Sequence, residues 1–220
     1  MYTGTLGRPE ASAYDHQVST DEGLARFNRL ADATGELRSC CAAPAWVQEI
    51  DRARPYPDRA ALRSWSDAVL AGLDWAGIRA ALDAHPRIGE RPAAGTGSPG
   101  GSREAAWSSR EQSGMDSASA STRAALVAAN RTYEERFGHV FLIFATGRSD
   151  RELLAAARDR IGHDEVTERA VVRSELGRIV ALRLTKLLDA LAAEPFERSG
   201  AAGPAEAEYQ SRRSDEDGGR

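Results

Sequence analysis

The chain has 220 residues, 41% of them hydrophobic, and a net charge of −4. That apolar share is enough for one globular core. A near-balanced charge without a basic block excludes an electrostatic nucleic-acid binder, and no apolar run approaches the ~20 residues needed to span a bilayer.

The N-terminus shows no basic segment followed by an apolar stretch, which argues against secretion and for a cytoplasmic protein. Residues 1–18 hold Gly, Pro, Thr and Ser without periodicity and read as a flexible leader. Ser19-Thr20-Asp21-Glu22 reads as a helix start, followed by Leu24, Phe27 and Leu30 at helical spacing. Leu37, Cys40 and Cys41 mark a short second helix that Pro44 is expected to close. The two cysteines are adjacent, a geometry that bridges only with strain, and they lack a metal-type C-x-x-C spacing. Burial as apolar side chains in a reducing compartment is the expected role.

Trp46, Val47 and Ile50 predict a third helix, ending before Arg54-Pro55-Tyr56-Pro57. Asp58 opens a fourth, with Leu62, Trp65, Val69, Leu70 and Leu73 on its apolar stripe. Asp74 caps a fifth that carries Ile78 and Leu82 toward His85-Pro86-Arg87-Ile88-Gly89-Glu90. Pro86 disfavours the α region for the residue before it, so this helix ends near His85. Gly89 permits a sharp turn beyond. His85 thus stands at the mouth of a loop, able to meet a ligand or merely to cap a helix dipole.

Residues 91–104 hold mostly Gly, Pro, Ser and Thr and are expected to form a flexible loop; no Gly-Lys-Ser/Thr ending marks them as a phosphate cradle. A short helical turn over Ala105 to Gly114 carries Trp107, Ser108, Glu111 and Gln112. Ser108 and Glu111 share a face, which also fits a capping box.

Ser121 is expected to cap a helix from Thr122 to Phe137, with Leu126, Val127, Asn130, Tyr133 and Phe137 on its stripe. Asn130, an amide on an apolar face, must find partners and should brace a neighbouring loop. Gly138-His139 makes a turn before the unbroken apolar run Val140 to Ala145, which is either a buried extended segment or the start of a core helix. Ser149-Asp150-Arg151-Glu152 forms a capping box for the helix ending at Ile161, where Arg160 suits the dipole and Gly162 stops it.

Asp164 begins the longest helix, to about Ala192, with Leu176, Ile179, Val180, Leu184, Leu187, Leu188 and Leu191 as its stripe. At 100° per residue Arg183 falls inside that stripe and Arg178 opposite it. A guanidinium facing the core must pair with a buried carboxylate or an anionic ligand, because an unpaired buried charge is costly. Residues 194–220 are Gly-, Ser- and charge-rich and read as a disordered tail. The elements predict one all-α domain over residues 19–193, a helical bundle of about eight helices with little or no sheet.

Four stretches, in this order, resemble the OHCU decarboxylase family of urate degradation: His85-Pro86, Ser108-x-x-Glu111-Gln112, Asn130-x-x-Tyr133-x-x-x-Phe137-Gly138, and Arg183 in the last long helix. The resemblance covers roughly residues 20 to 190. It implies a helical-bundle homodimer that decarboxylates 2-oxo-4-hydroxy-4-carboxy-5-ureidoimidazoline to (S)-allantoin without metal or cofactor. It also implies His85 as general acid/base, acting on the 4-hydroxyl group or the carbon that loses the carboxylate, and Glu111 as orienting the substrate nitrogens and sharing proton transfer. Ser108 and Gln112 would add neutral hydrogen bonds, Pro86 a pocket wall, and Arg183 a grip on an anionic or carbonyl oxygen. Backbone groups of Ile143, Phe144 and Ala145 would take the ureido arm. Two other classes compete: a metal-dependent hydrolase built on His85, Glu111 and His139, and a helical ligand-binding or interaction module without turnover.

Overall fold

The computed structural model describes residues 21–89, 107, 110, 111 and 119–193. Among the described residues, eight helices with defined bounds follow one another: α1 (Glu22–Arg29), α2 (Thr34–Cys40), α3 (Pro44–Arg52), α4 (Arg59–Gly72), α5 (Trp75–Leu82), α6 (Ala120–Phe137), α7 (Asp150–Ile161) and α8 (Glu165–Ala193). Among the described residues there is no strand. No helix there is long and apolar enough to cross a membrane. The expected leader and tail and residues 91–104 lie outside the described residues.

Most helix starts follow from short polar side chains. Asp21, Asp58 and Asp74 each accept a hydrogen bond from a backbone N–H in the first turn of α1, α4 and α5. Ser149 and Glu152 close a reciprocal capping box on α7. Two boundaries differ from the sequence reading. Pro44 opens α3 instead of merely closing α2, since proline at a first helical position lacks only an N–H that would go unused. Ser119, not Ser121, caps α6, accepting from the Thr122 N–H at 3.1 Å. Either serine satisfies the chemistry, and the helix gains a half-turn by using the earlier one.

α8 is the axis of the bundle. Its buried stripe meets α1, α2 and α4, where Phe27, Leu37, Trp46, Leu62, Leu176 and Leu187 form the larger core. A second core, built by Leu126, Tyr133, Phe141 and Leu153, lies between α6 and α7. α1 approaches α8 so closely that a Cβ on Gly23 would stand 2.0 Å from the Leu188 carbonyl oxygen. Cys40 and Cys41 are both buried. Trp65 is the exception to the α4 stripe, 44% exposed. Its Ser66 neighbour is buried instead, because the Ser66 hydroxyl accepts from the Trp46 indole N–H at 3.1 Å.

A buried polar network joins the second core to α8. Glu168 is fully buried and receives the Tyr133 hydroxyl, the Arg160 guanidinium and the His163 ring. Arg160 therefore does not serve the α7 dipole from the surface. It turns inward to pair with Glu168 and lies over the rings of Tyr133 and Phe141. Its positive charge, with the hydrogen bonds from Tyr133 and His163, holds the Glu168 carboxyl below its ordinary value against the opposing effect of burial.

Gly23→Ala is expected to cost about 1–3 kcal/mol by forcing α1 off α8. Gly177→Ala, where an added Cβ meets nothing within 4 Å, should gain up to about 1 kcal/mol from helix propensity. Urea denaturation of the two variants checks both signs.

Candidate active site

The site is assembled from four pieces that meet at one cavity. The first is the end of α5. The helix stops at Leu82, and the His85 N–H turns back to the Leu82 carbonyl at 2.9 Å. The His85 ring folds onto the same last turn, with Nδ1 2.8 Å from the Ala81 carbonyl oxygen. A carbonyl can only accept, so a neutral ring carries its proton on Nδ1 and keeps a lone pair on Nε2. That Nε2 is buried and has no partner among the described residues. Burial first, and then the Arg183 guanidinium, push the His85 pKa down to about 4, despite the opposing Ala81 carbonyl and Glu111 charge. The ring is therefore neutral at pH 7.

The loop beyond is held from outside. Gly89 adopts a φ of 83°, a conformation glycine tolerates freely. Asn130 on α6 donates from Nδ2 to the Ile88 carbonyl at 2.8 Å. Arg87 forks onto Glu134 at 2.6 and 2.8 Å. Asn130 thus braces the loop, as its place on an apolar face predicts.

The second and third pieces are a buried ion pair. Arg183, on the core face of α8, is 1% exposed. Its Nη2 lies 3.1 Å from Glu111 Oε2, and its Nε 3.4 Å from Oε1. The partner that burial demands is thus a carboxylate 72 residues away in sequence. Lys186, one turn further along α8, adds a bond to Glu111 Oε1 at 3.0 Å. Sequence reading did not single out Lys186. Its signal was its position three residues from Arg183, on a neighbouring line of the same helix.

The fourth piece is the chain from Phe141 to Thr146. It is not helical, which resolves the ambiguity of that apolar run against a core helix. These six residues, with His85, Pro86, Ile88, Glu111, Ile179 and Arg183, line a cavity of about 390 Å³, part of it open to solvent. Ile143, Phe144 and Ala145 are thus at the cavity, but their backbones are not equivalent. The Phe144 N–H is already taken by Glu175 Oε2 at 2.6 Å, which removes it as a donor to a ligand. The N–H and carbonyl of Ile143 have no hydrogen-bond partner among the described residues.

Ser108 and Gln112 lie outside the described residues. Trp107, Arg110 and Glu111 are helical, with Trp107 buried. His139 does not line the cavity. It packs edge-on against Trp75 and Tyr133, with centroids 5.3 and 5.4 Å away. Burial pushes its pKa down as well. The grouping of His85, Glu111 and His139 is therefore not brought together. Among the described residues no three His, Cys, Asp or Glu side chains cluster as a metal site.

A family model described as OHCU decarboxylase matches residues 28–185. A 2-oxo-4-hydroxy-4-carboxy-5-ureidoimidazoline decarboxylase of Haloferax volcanii is 31% identical over 169 residues, 74% of this chain and 94% of that protein. The uric acid degradation bifunctional protein TTL of Arabidopsis thaliana is 25% identical over 177 residues. The match takes in 80% of this chain, which spans about half the length of that relative, 54%. Among solved structures, an OHCU decarboxylase crystallised in the presence of (S)-allantoin superposes with a TM-score of 0.60 at 24% identity, covering 70% of this chain and 98% of the other. An (S)-allantoin synthase follows with a TM-score of 0.57 at 14% identity, covering 76% of this chain and 54% of the other. The structural likenesses establish a shared helical fold, and the sequence match settles the kinship: the chain belongs to the OHCU decarboxylase family.

Proposed function

We propose that the chain decarboxylates 2-oxo-4-hydroxy-4-carboxy-5-ureidoimidazoline to (S)-allantoin without a metal or cofactor, acting on this small molecule as a cytoplasmic homodimer. The observation that carries the reading is the neutral His85 imidazole, its Nε2 unpartnered, at a cavity shared with the buried Arg183–Glu111 pair.

The chemistry needs little more. When the carboxylate leaves as CO2, its electron pair forms a double bond to the ureido-bearing carbon, and the ring imine nitrogen takes the displaced pair with a solvent proton. The 4-hydroxyl then gives up its proton as the carbonyl forms, and the ureido-bearing carbon gains one. One proton is taken up overall. His85 Nε2, a lone pair at neutral pH, accepts the hydroxyl proton and returns it to carbon from one side, which fixes the handedness of the product. In this role His85 is a base first and an acid only after it has been loaded. Arg183 supplies a positive charge to the substrate's oxygen. Glu111, restrained between Arg183 and Lys186, accepts from the substrate's nitrogens. Pro86 and Phe144 shape the wall, Ile143 and Ala145 offer backbone groups to the ureido arm, and Ser108 and Gln112 add neutral hydrogen bonds.

His85→Ala should lower the decarboxylation rate by at least ~100-fold and release a racemic product. Circular dichroism at the allantoin band, after generating the substrate in situ from urate, reads rate and handedness together. Near-normal turnover of one enantiomer would remove the assignment. Arg183→Met should raise KM or abolish turnover, and unchanged kinetics would make the arginine purely structural. Light scattering at twice the 23.7 kDa chain mass is the expected result for the oligomer.

The depressed His85 pKa has a sign that can be checked. The base is active when unprotonated, so kcat/KM should hold as pH falls through 6.5 and decline only on approach to about 4. Folding stability follows a related course. Between 6.5 and about 4 the unfolded chain binds a proton that the folded His85 refuses, so this contribution is present above that window and is lost as pH drops through it. A kcat/KM profile centred on an ordinary imidazole value would contradict the buried, neutral base.

A further inference from the structure

The wall from Phe141 to Ala145 has no helix of its own and pairs with no strand among the described residues, so no ladder fixes its register. Side chains fix it instead. The Arg160 Nη1–H donates to the Leu142 carbonyl at 2.7 Å from α7. Glu175, from α8, accepts the Phe144 N–H at 2.6 Å. Between the two anchors lies Ile143, buried, with neither backbone polar group bonded among the described residues.

Glu175 is the less expected of the two anchors. It is a largely buried carboxylate, and such a group is costly unless strong hydrogen bonds compensate. Its contact with Arg178 is long, 3.4 Å, from a guanidinium that is half exposed. Its short bond goes inward, to a backbone amide, the charge-assisted kind that is both strong and directional. Arg178 meanwhile lies over the Phe144 ring, 4.7 Å from its centroid. One residue of the wall is thus gripped by its amide and by its ring, both from α8. Glu175, Ile179 and Arg183 follow at four-residue intervals along one line of that helix, and Ile179 and Arg183 line the cavity.

We infer that Glu175 is a positioning residue of the active site. By fixing the Phe144 amide it sets the height of the wall against Arg183, and so presents the Ile143 backbone to the ureido arm of the substrate. The inference rests on the decarboxylase reading above. Glu175 touches no reacting atom, so its removal misplaces a binding surface while leaving the proton-transfer groups intact.

The test is steady-state kinetics on purified full-length chain, with thermal unfolding measured in parallel. Glu175→Leu should raise KM by about tenfold or more, as loss of a substrate-holding hydrogen bond does, with kcat within about threefold of wild type. Glu175→Gln keeps an oxygen that can accept the Phe144 N–H and should restore KM to near wild type. If Glu175→Leu does not fold, Glu175→Asp carries the test, since its shorter arm draws the acceptor back and should raise KM while Gln does not. Wild-type KM in the Leu or Asp variant would overturn the inference alone. So would a proportional loss of kcat and thermal stability that Gln fails to rescue. A wild-type protein that gives no acceleration over spontaneous decay would overturn the decarboxylase reading, and this inference with it.

Discussion

A guanidinium in the middle of a helical core constrains everything around it. Arg183 is 1% exposed on the longest helix of the bundle, and a charge so placed must be neutralised locally. The chain answers with Glu111, delivered from a segment distant in sequence, and Lys186 shares the same carboxylate. The same positive charge acts on His85, helping to keep its imidazole unprotonated. One buried ion therefore fixes the position of an acid and adds to burial in keeping a base unprotonated. A cavity between them inherits both properties without any further group.

Around this pair a set of hydrogen bonds holds the cavity walls in place. α5 ends just before His85, and Asn130 fastens the loop that follows. Arg160 and Glu175 fasten the opposite wall. Glu168 anchors Arg160 in turn, through a network that also takes in Tyr133 and His163. At the cavity the His85 Nε2 and the Ile143 backbone have no hydrogen-bond partner among the described residues. Such an arrangement would suit the proposed decarboxylation, whose main requirement is orientation, because the departing CO2 would leave its electrons in a substrate able to accept them.

Much of this was legible in the chain itself. Asp21, Asp58, Asp74 and Ser149 are capping residues in the sequence and caps in the structure. Arg183 fell on the apolar stripe by simple angular counting, and its burial follows. Asn130 was recognisable as a brace because an amide on an apolar face requires a partner. What could not be read were contacts between distant segments. Glu175 was not singled out in the sequence, yet its carboxylate turns inward to a backbone amide. Arg160 looked like a dipole partner until Glu168 was placed beside it. Trp65 fits the α4 stripe by period, but α4 buries the small Ser66 against Trp46 and leaves Trp65 at the edge. Periodicity assigns a face to a helix; which neighbour covers that face is a property of the assembled bundle.

The groups that serve the cavity from α8 are strung along a single rod. Glu168 secures the α7 network, Glu175 holds the wall, Ile179 lines the cavity, and Arg183 and Lys186 hold the acid. Each residue in a helix is turned 100° from the last. Inserting or deleting one residue anywhere between Glu168 and Lys186 would rotate every group beyond that point out of alignment with those before it. This stretch of α8 acts as a ruler whose divisions have to stay fixed.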